Sequence, residues 1–144
     1  MGKGVFIVFE GIDGSGKSSC MDAVASDIGK AREVIRTAEP TKGGIGMLLR
    51  SLTDAIPETE ALLFVADRAQ HTQDIKEWLK EERVVLCDRY YASTLAYQSA
   101  EMNGRSVDIE WLRTLNDKVT IEPDMTLLFD IDPEAGLERV ESRG

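Results

Sequence analysis

Gly11-Ile12-Asp13-Gly14-Ser15-Gly16-Lys17-Ser18 is the stretch on which the reading of this chain turns. It fits the spacing Gly-x4-Gly-Lys-Ser/Thr, follows directly on the apolar run at residues 5–9, and opens a segment with helical spacing from residue 17 to about residue 31. A strand, a glycine turn and a helix in that order bring several backbone N–H groups to one point. Those at the helix start have no partner within the helix, and the helix dipole favours an anion there, so the turn is a phosphate cradle. Glycines let the backbone approach closely, Lys17 supplies a point charge to β and γ phosphates, and the Ser18 hydroxyl is placed to join a Mg2+ shell. Gly11, Asp13, Gly14, Ser15, Gly16, Lys17, Ser18 and Ser19 form the expected nucleotide-binding set.

Outward from the cradle, a second short strand at 34–38 ends at Glu39-Pro40, and Gly43, Gly44 and Gly46 loosen the chain before a helix through Met47, Leu48 and Leu52. A turn at 54–57 precedes the longest helical stretch, residues 58 to about 82, with Leu62, Leu63, Ala66, Ala69, Ile75, Trp78 and Leu79 at helical spacings. Residues 84–87 are a third buried strand closed by Asp88-Arg89-Tyr90. Helices are expected at 92 to about 102 and at 107–119, a fourth strand at 124–131, and a last helix opened by Pro133. Strands that alternate with helices and read as unbroken apolar runs predict a parallel sheet covered on both faces, a three-layer α/β/α fold of the P-loop NTPase type.

The 144 residues, 42% hydrophobic and 30% charged, suit one domain with a single core. The apolar runs are far shorter than the roughly 20 residues that cross a bilayer, and the first residues lack the pattern of a secretory signal, so a cytoplasmic location without membrane attachment is expected. Cys20 and Cys87 have no metal-type neighbours and read as buried reduced thiols. A net charge of −9 argues against gripping nucleic acid through the whole field of the molecule. His71, the one histidine, reads as an ordinary surface or packing residue.

A phosphate cradle alone does not separate a GTPase, a motor ATPase and a small-molecule kinase. The chain has no late Asn-Lys-x-Asp segment to read guanine, and motor ATPases are longer. A small kinase is left, and it needs a second pocket for the acceptor and cationic side chains around the moving phosphoryl group.

From Phe6 onward the chain resembles the thymidylate kinase family, a group of P-loop nucleoside monophosphate kinases. The segment from Phe9 to Ser18 is similar to the family's P-loop, with Asp13 at the acidic position that meets the acceptor's 3′-hydroxyl. Thr37-Ala38-Glu39-Pro40 resembles the family's Arg-Glu-Pro segment, with Ala38 in place of the arginine. Residues 62–71 resemble the acceptor-binding helix, which implies Phe64 stacked on thymine and Arg68 donating to its O4 or N3 region. From the residues alone, Phe64 as core and Arg68 as a surface charge is the other reading.

By the same resemblance, Asp88 touches the metal shell or positions the acceptor phosphate, and Arg89 clamps the phosphates of donor and acceptor. Thr94 and Gln98 meet the base edge, Tyr97 lies against C2′ of the sugar, and Arg50 reaches the acceptor phosphate. The implied activity is transfer of the ATP γ-phosphoryl group to dTMP, giving dTDP and ADP in dTTP biosynthesis, with ATP and Mg2+ bound and Lys17, Arg89, Asp13 and Asp88 at the reaction centre. Ser18 and Asp88 are the metal-side residues, and dTMP is the small-molecule partner. Glu39 and Pro40 complete the acceptor side. A homodimer is implied by family analogy.

Members with this style of P-loop draw a catalytic arginine from a lid after the fourth strand. Here Arg139 and Arg143 are the lid-side cations, and residues 1–144 read as one kinase domain ending at the lid's threshold, without the fifth strand. A core that binds nucleotides without transfer, and a kinase for another nucleoside monophosphate, are the alternatives.

Overall fold

The computed structural model describes residues 2–101 and 104–144. Its central strand is β1 (Val5–Gly11), with β3 (Val84–Asp88) paired along one edge and β4 (Met125–Phe129) along the other, all parallel, and its side chains enter a core cluster on each face of the sheet. β2 (Val34–Ala38) completes the order β2-β3-β1-β4 by pairing with β3. The register sets Phe9 beside Asp88, so the glycine turn after β1 and the Asp88-Arg89 turn after β3 emerge side by side at the carboxyl edge of the sheet. Open parallel sheets present ligands with such an edge.

Helix α1 (Lys17–Ile28) covers one face, where Phe9, Met21, Val84 and Leu86 form a core cluster. Helix α3 (Pro57–Lys80) covers the other, over Phe6, Val8, Ile75, Val85, Cys87 and Tyr90. These two clusters are the outer joints of a three-layer α/β/α fold, as the sequence predicts. The Phe6 and Tyr90 rings meet edge to face at 5.2 Å, and each fully buried large side chain stabilises the fold by about 1.5–3 kcal/mol. α2 (Gly44–Ser51) packs on α3, while α4 (Tyr91–Ser99) and α5 (Ile109–Asp117) close the layer around Ala61, Val107 and Leu112.

Local chemistry places the helix starts. Pro57 occupies the first turn of α3 with Glu58 and Glu60 near its positive end. Asp108 caps α5 by accepting from the Trp111 N–H at 2.8 Å, and Asp132 caps α6 (Pro133–Glu141) through the Glu134 N–H at 2.9 Å. Several predicted boundaries tighten. The helix expected at 92–102 runs from Tyr91 to Ser99, Met102 lying outside the described residues; the fourth strand shortens to five residues; and α1 stops at Ile28 before Gly29.

Cys20, expected to be buried, is only half-buried because it lies at the rim of the α1 cluster; Cys87 is fully buried, and both are free thiols. β4 lies at the end of the sheet, with Met125 52% and Leu128 74% exposed. Among the described residues no helix is long and apolar enough to cross a membrane.

Candidate active site

The glycine turn lines a cleft of about 290 Å³ together with Lys17, Ser18, Ser19, Asp88, Arg89 and Arg143. Gly14 (φ 79°) and Gly16 (φ 92°) sit in the left-handed region, where side chains with a Cβ are strained. Gly14 also meets α6 backbone to backbone: a Cβ there would lie 2.2 Å from the Gly136 carbonyl oxygen. Arg139 reinforces this joint by donating to the Gly14 carbonyl at 3.1 Å. Of the two arginines expected on the lid side, Arg139 therefore braces the loop and Arg143 lines the cleft.

Lys17 is buried, donates to the Ile12 carbonyl at 3.2 Å, and stands 4.0 Å from Asp88 Oδ1. Burial lowers its pKa from the ordinary lysine value, with Asp88 opposing. Asp88 Oδ1 is itself buried without a hydrogen-bond partner, as is Ser15 Oγ. An orphaned carboxylate oxygen in the cleft that Ser18 also lines suits a hard divalent cation. Among the described residues no cluster of three or more His, Cys, Asp or Glu gathers elsewhere to hold one. Two protein oxygens with phosphate and water completing the shell is the arrangement Mg2+ favours, since it dehydrates reluctantly.

Arg89 joins this cleft to a second one. Its backbone is left-handed (φ 68°), a conformation costing a non-glycine residue about 1–2 kcal/mol, and several hydrogen bonds hold it there. The Arg89 N–H donates to the Phe9 carbonyl at 2.9 Å, and the Cys87 thiol donates to the Arg89 carbonyl at 3.0 Å. The buried Glu10 carboxylate accepts from the Tyr90 N–H at 2.9 Å and from the Ser93 hydroxyl at 2.5 Å. Held so, the guanidinium reaches Asp13 Oδ1 at 2.6 Å and lies 5.2 Å from the centre of the Tyr97 ring.

The second cleft is larger, about 600 Å³, and every residue expected on the acceptor side lines it: Asp13, Glu39, Pro40, Arg50, Phe64, Arg68, Arg89, Thr94, Tyr97 and Gln98. Phe64 and Arg68 stand one turn apart on α3, the ring half-buried and Arg68 only 1% exposed, so Arg68 is no surface charge. Its guanidinium donates to Glu39 Oε2 at 2.7 Å, Asn116 Oδ1 at 2.5 Å and Thr94 Oγ1 at 2.9 Å. Gln98 Oε1 is buried with no partner. Arg50 is exposed and donates to the Pro40, Thr41 and Gly46 carbonyls, and Asp67 accepts from the Thr41 N–H and hydroxyl, so the loop after β2 is pinned from both sides.

Several members of the site escape a reading of the sequence. His71, read as a surface or packing residue, is packed in the interior, and both its ring nitrogens are bonded, Nδ1 to Glu39 Oε1 and Nε2 to Thr37 Oγ1, each at 2.8 Å. Glu39 therefore meets Arg68 and His71 with its two oxygens and shapes the pocket through Arg68. Glu10, Asn116 and Gly136 are the other omissions. Only Glu10 had a visible signal, a carboxylate inside an otherwise apolar strand.

A family model for thymidylate kinase matches residues 9–144. The chain is 44% identical over 149 aligned residues to the thymidylate kinase of Nitratidesulfovibrio vulgaris (strain DSM 19637 / Miyazaki F), covering 96% of this chain and 68% of that protein. It is 42% identical to the probable thymidylate kinase of Pyrococcus horikoshii, covering 99% of this chain and 72% of the relative. The chain thus spans about two thirds to three quarters of the length of these relatives. The crystal structure of thymidylate kinase from Ehrlichia chaffeensis superposes with a TM-score of 0.80 at 33% identity, covering 97% of this chain and 83% of that one. With a glycine-rich phosphate loop and a larger second cleft meeting at Arg89, and with matches of this extent, the chain belongs to the thymidylate kinase family.

Proposed function

We propose that this chain transfers the γ-phosphoryl group of ATP to dTMP, giving dTDP and ADP, with the triphosphate on residues 11–18 and dTMP in the larger pocket. The observation that carries this reading is the shared wall: Asp13 and Arg89 line both clefts, so two phosphates held there face each other across one guanidinium. A dTMP phosphate oxygen attacks the γ-phosphorus in line, the bond to the β-phosphate's bridging oxygen breaks, and ADP leaves. Lys17, Arg89 and the cleft-facing Arg143 counter the charge that spreads over the γ-oxygens. Mg2+, when bound, neutralises β and γ oxygens, and Ser18 and Asp88 would hold it. The acceptor phosphate is already ionised, so no side chain acts as general base.

On the acceptor side, Phe64 stacks on the base, and Arg68 donates to thymine O4. Gln98 Oε1, which has no partner of its own, is suited to accept the N3 hydrogen. Thr94 fixes Arg68, Tyr97 crowds C2′, Asp13 meets the 3′-hydroxyl, and Arg50 faces the phosphate. The protein works in the cytoplasm, where its two free thiols stay reduced. It pairs as a homodimer through α2 and α3, on which Met47, Leu48 and Leu62 are exposed. Residues 1–144 belong to one P-loop kinase domain.

A coupled assay tests the reading: ADP formation must depend on dTMP and exceed that with dUMP, CMP or AMP, and AMP preference would discard the base-reading roles of Arg68 and Gln98. The exposed edge of β4 favours a second reading, a core that binds both nucleotides without turning them over. Nucleotide binding without dTMP-dependent ADP would select it.

A further inference from the structure

We infer that His71 is a positioning residue for acceptor recognition, holding Glu39 so that Glu39 in turn fixes the guanidinium of Arg68. The inference rests on the assignment of the larger pocket to dTMP and goes beyond it, because His71 does not line that pocket. A carboxylate can only accept, so His71 Nδ1 carries the hydrogen that reaches Glu39 Oε1 at 2.8 Å. That leaves Oε2 for Arg68 Nε at 2.7 Å. Thr37 Oγ1 holds Nε2 at 2.8 Å, and the Trp78 ring packs edge-on at 6.3 Å, so the imidazole cannot turn without breaking a bond.

Arg68 and His71 lie one turn apart on α3, and Glu39 comes from the loop after β2. The relay therefore ties the base-reading helix to the sheet. Every group in it is nine-tenths buried or more apart from Thr37, and a carboxylate there with one free oxygen would swing to satisfy it. Without the Nδ1 hydrogen, Glu39 rotates and the Arg68 fork tilts away from the base edge. Lys17, Arg89 and the triphosphate cradle share no bond with His71 and stay in place.

Two substitutions separate the two ring nitrogens. Asn at this position keeps a donor near Nδ1, whereas Gln reaches only toward Nε2. His71→Gln is expected to raise KM for dTMP about tenfold, the loss of one hydrogen bond to a buried charge, with kcat and KM for ATP within about twofold of the parent. His71→Asn is expected to restore most of the affinity. Equal KM values for both variants and the parent, or a common rise in KM for ATP and dTMP, would overturn the inference.

As the chain has one histidine, labelling its ring nitrogens with 15N gives a single imidazole to follow in the unmutated protein, whatever the variants' folding. Its signals should shift when dTMP is added and not when a non-hydrolysable ATP analogue is added. Indifference to dTMP, in protein that calorimetry shows to bind dTMP, also overturns it. Failure of the unmutated protein to bind dTMP at all refutes the pocket assignment instead.

Discussion

In the proposed reaction, Lys17 and Glu10 act on the same phosphates from different distances. Lys17 reaches them directly in the proposed reaction, so Lys17→Met should lower kcat/KM for ATP at least about 100-fold in the coupled assay. Glu10 acts through backbone. Its carboxylate holds the Tyr90 N–H and Ser93 hydroxyl that fix the left-handed Arg89. Glu10→Leu should therefore depress kcat about tenfold or more, and Glu10→Gln, which can still accept from Tyr90 and donate to Ser93, should recover much of it. Steady-state kinetics on the pair decides the point, and equal losses in both variants would show that negative charge, not the bonding pattern, matters. The residues proposed as direct ligands were legible as candidates because their spacing follows local geometry: Gly14 and Lys17 in one turn, Phe64 and Arg68 on one helix face. Glu10 and His71 were not, since the partners that define them lie 80 and 32 residues away.

Helix α6 is the element whose role changed most between sequence and structure. Asp132 and Pro133 announce its start, yet nothing in its spacing says that Gly136 rests against the phosphate loop. There a Cβ on Gly136 would meet Ile12 Cδ1 at 2.9 Å and the Asp13 carbonyl at 3.0 Å. Gly136→Val should push the helix off the loop, weakening binding of a fluorescent ATP analogue about tenfold while dTMP affinity changes less than threefold. Loss of both affinities together would instead mean that the whole sheet edge had moved. The strands were readable as elements because burial on both faces demands continuous apolar runs, and the expected bounds of β4 ran past Met125–Phe129, the stretch that pairs with β1.

At the scale of the whole molecule, buried acids set the response to alkali. Burial raises the Cys87 thiol well above its ordinary value near 9.0, and raises the Tyr90 hydroxyl above 10.0. Groups held protonated by folding contribute stability that is intact below the unfolded pKa and lost as pH rises beyond it. Lys17, lowered by burial, works in the opposite direction as pH approaches 10.5. The urea midpoint is accordingly expected to hold level up to about pH 9 and to fall above it. Cys87→Ala should be less stable at neutral pH, yet lose less between pH 9 and 10. An identical slope in both proteins would remove Cys87 from the account. By itself the sequence determined that a phosphate loop would stand at the end of a buried parallel strand and which helix would carry Phe64 and Arg68, since those features depend on hydrogen bonding and periodicity within a few turns of chain. Only the tertiary structure decided the strand order β2-β3-β1-β4, the seat of α6 on the glycine turn and the relay from His71 to Arg68. Those contacts join segments far apart in the chain, and their identity depends on which buried polar groups meet once the sheet has assembled.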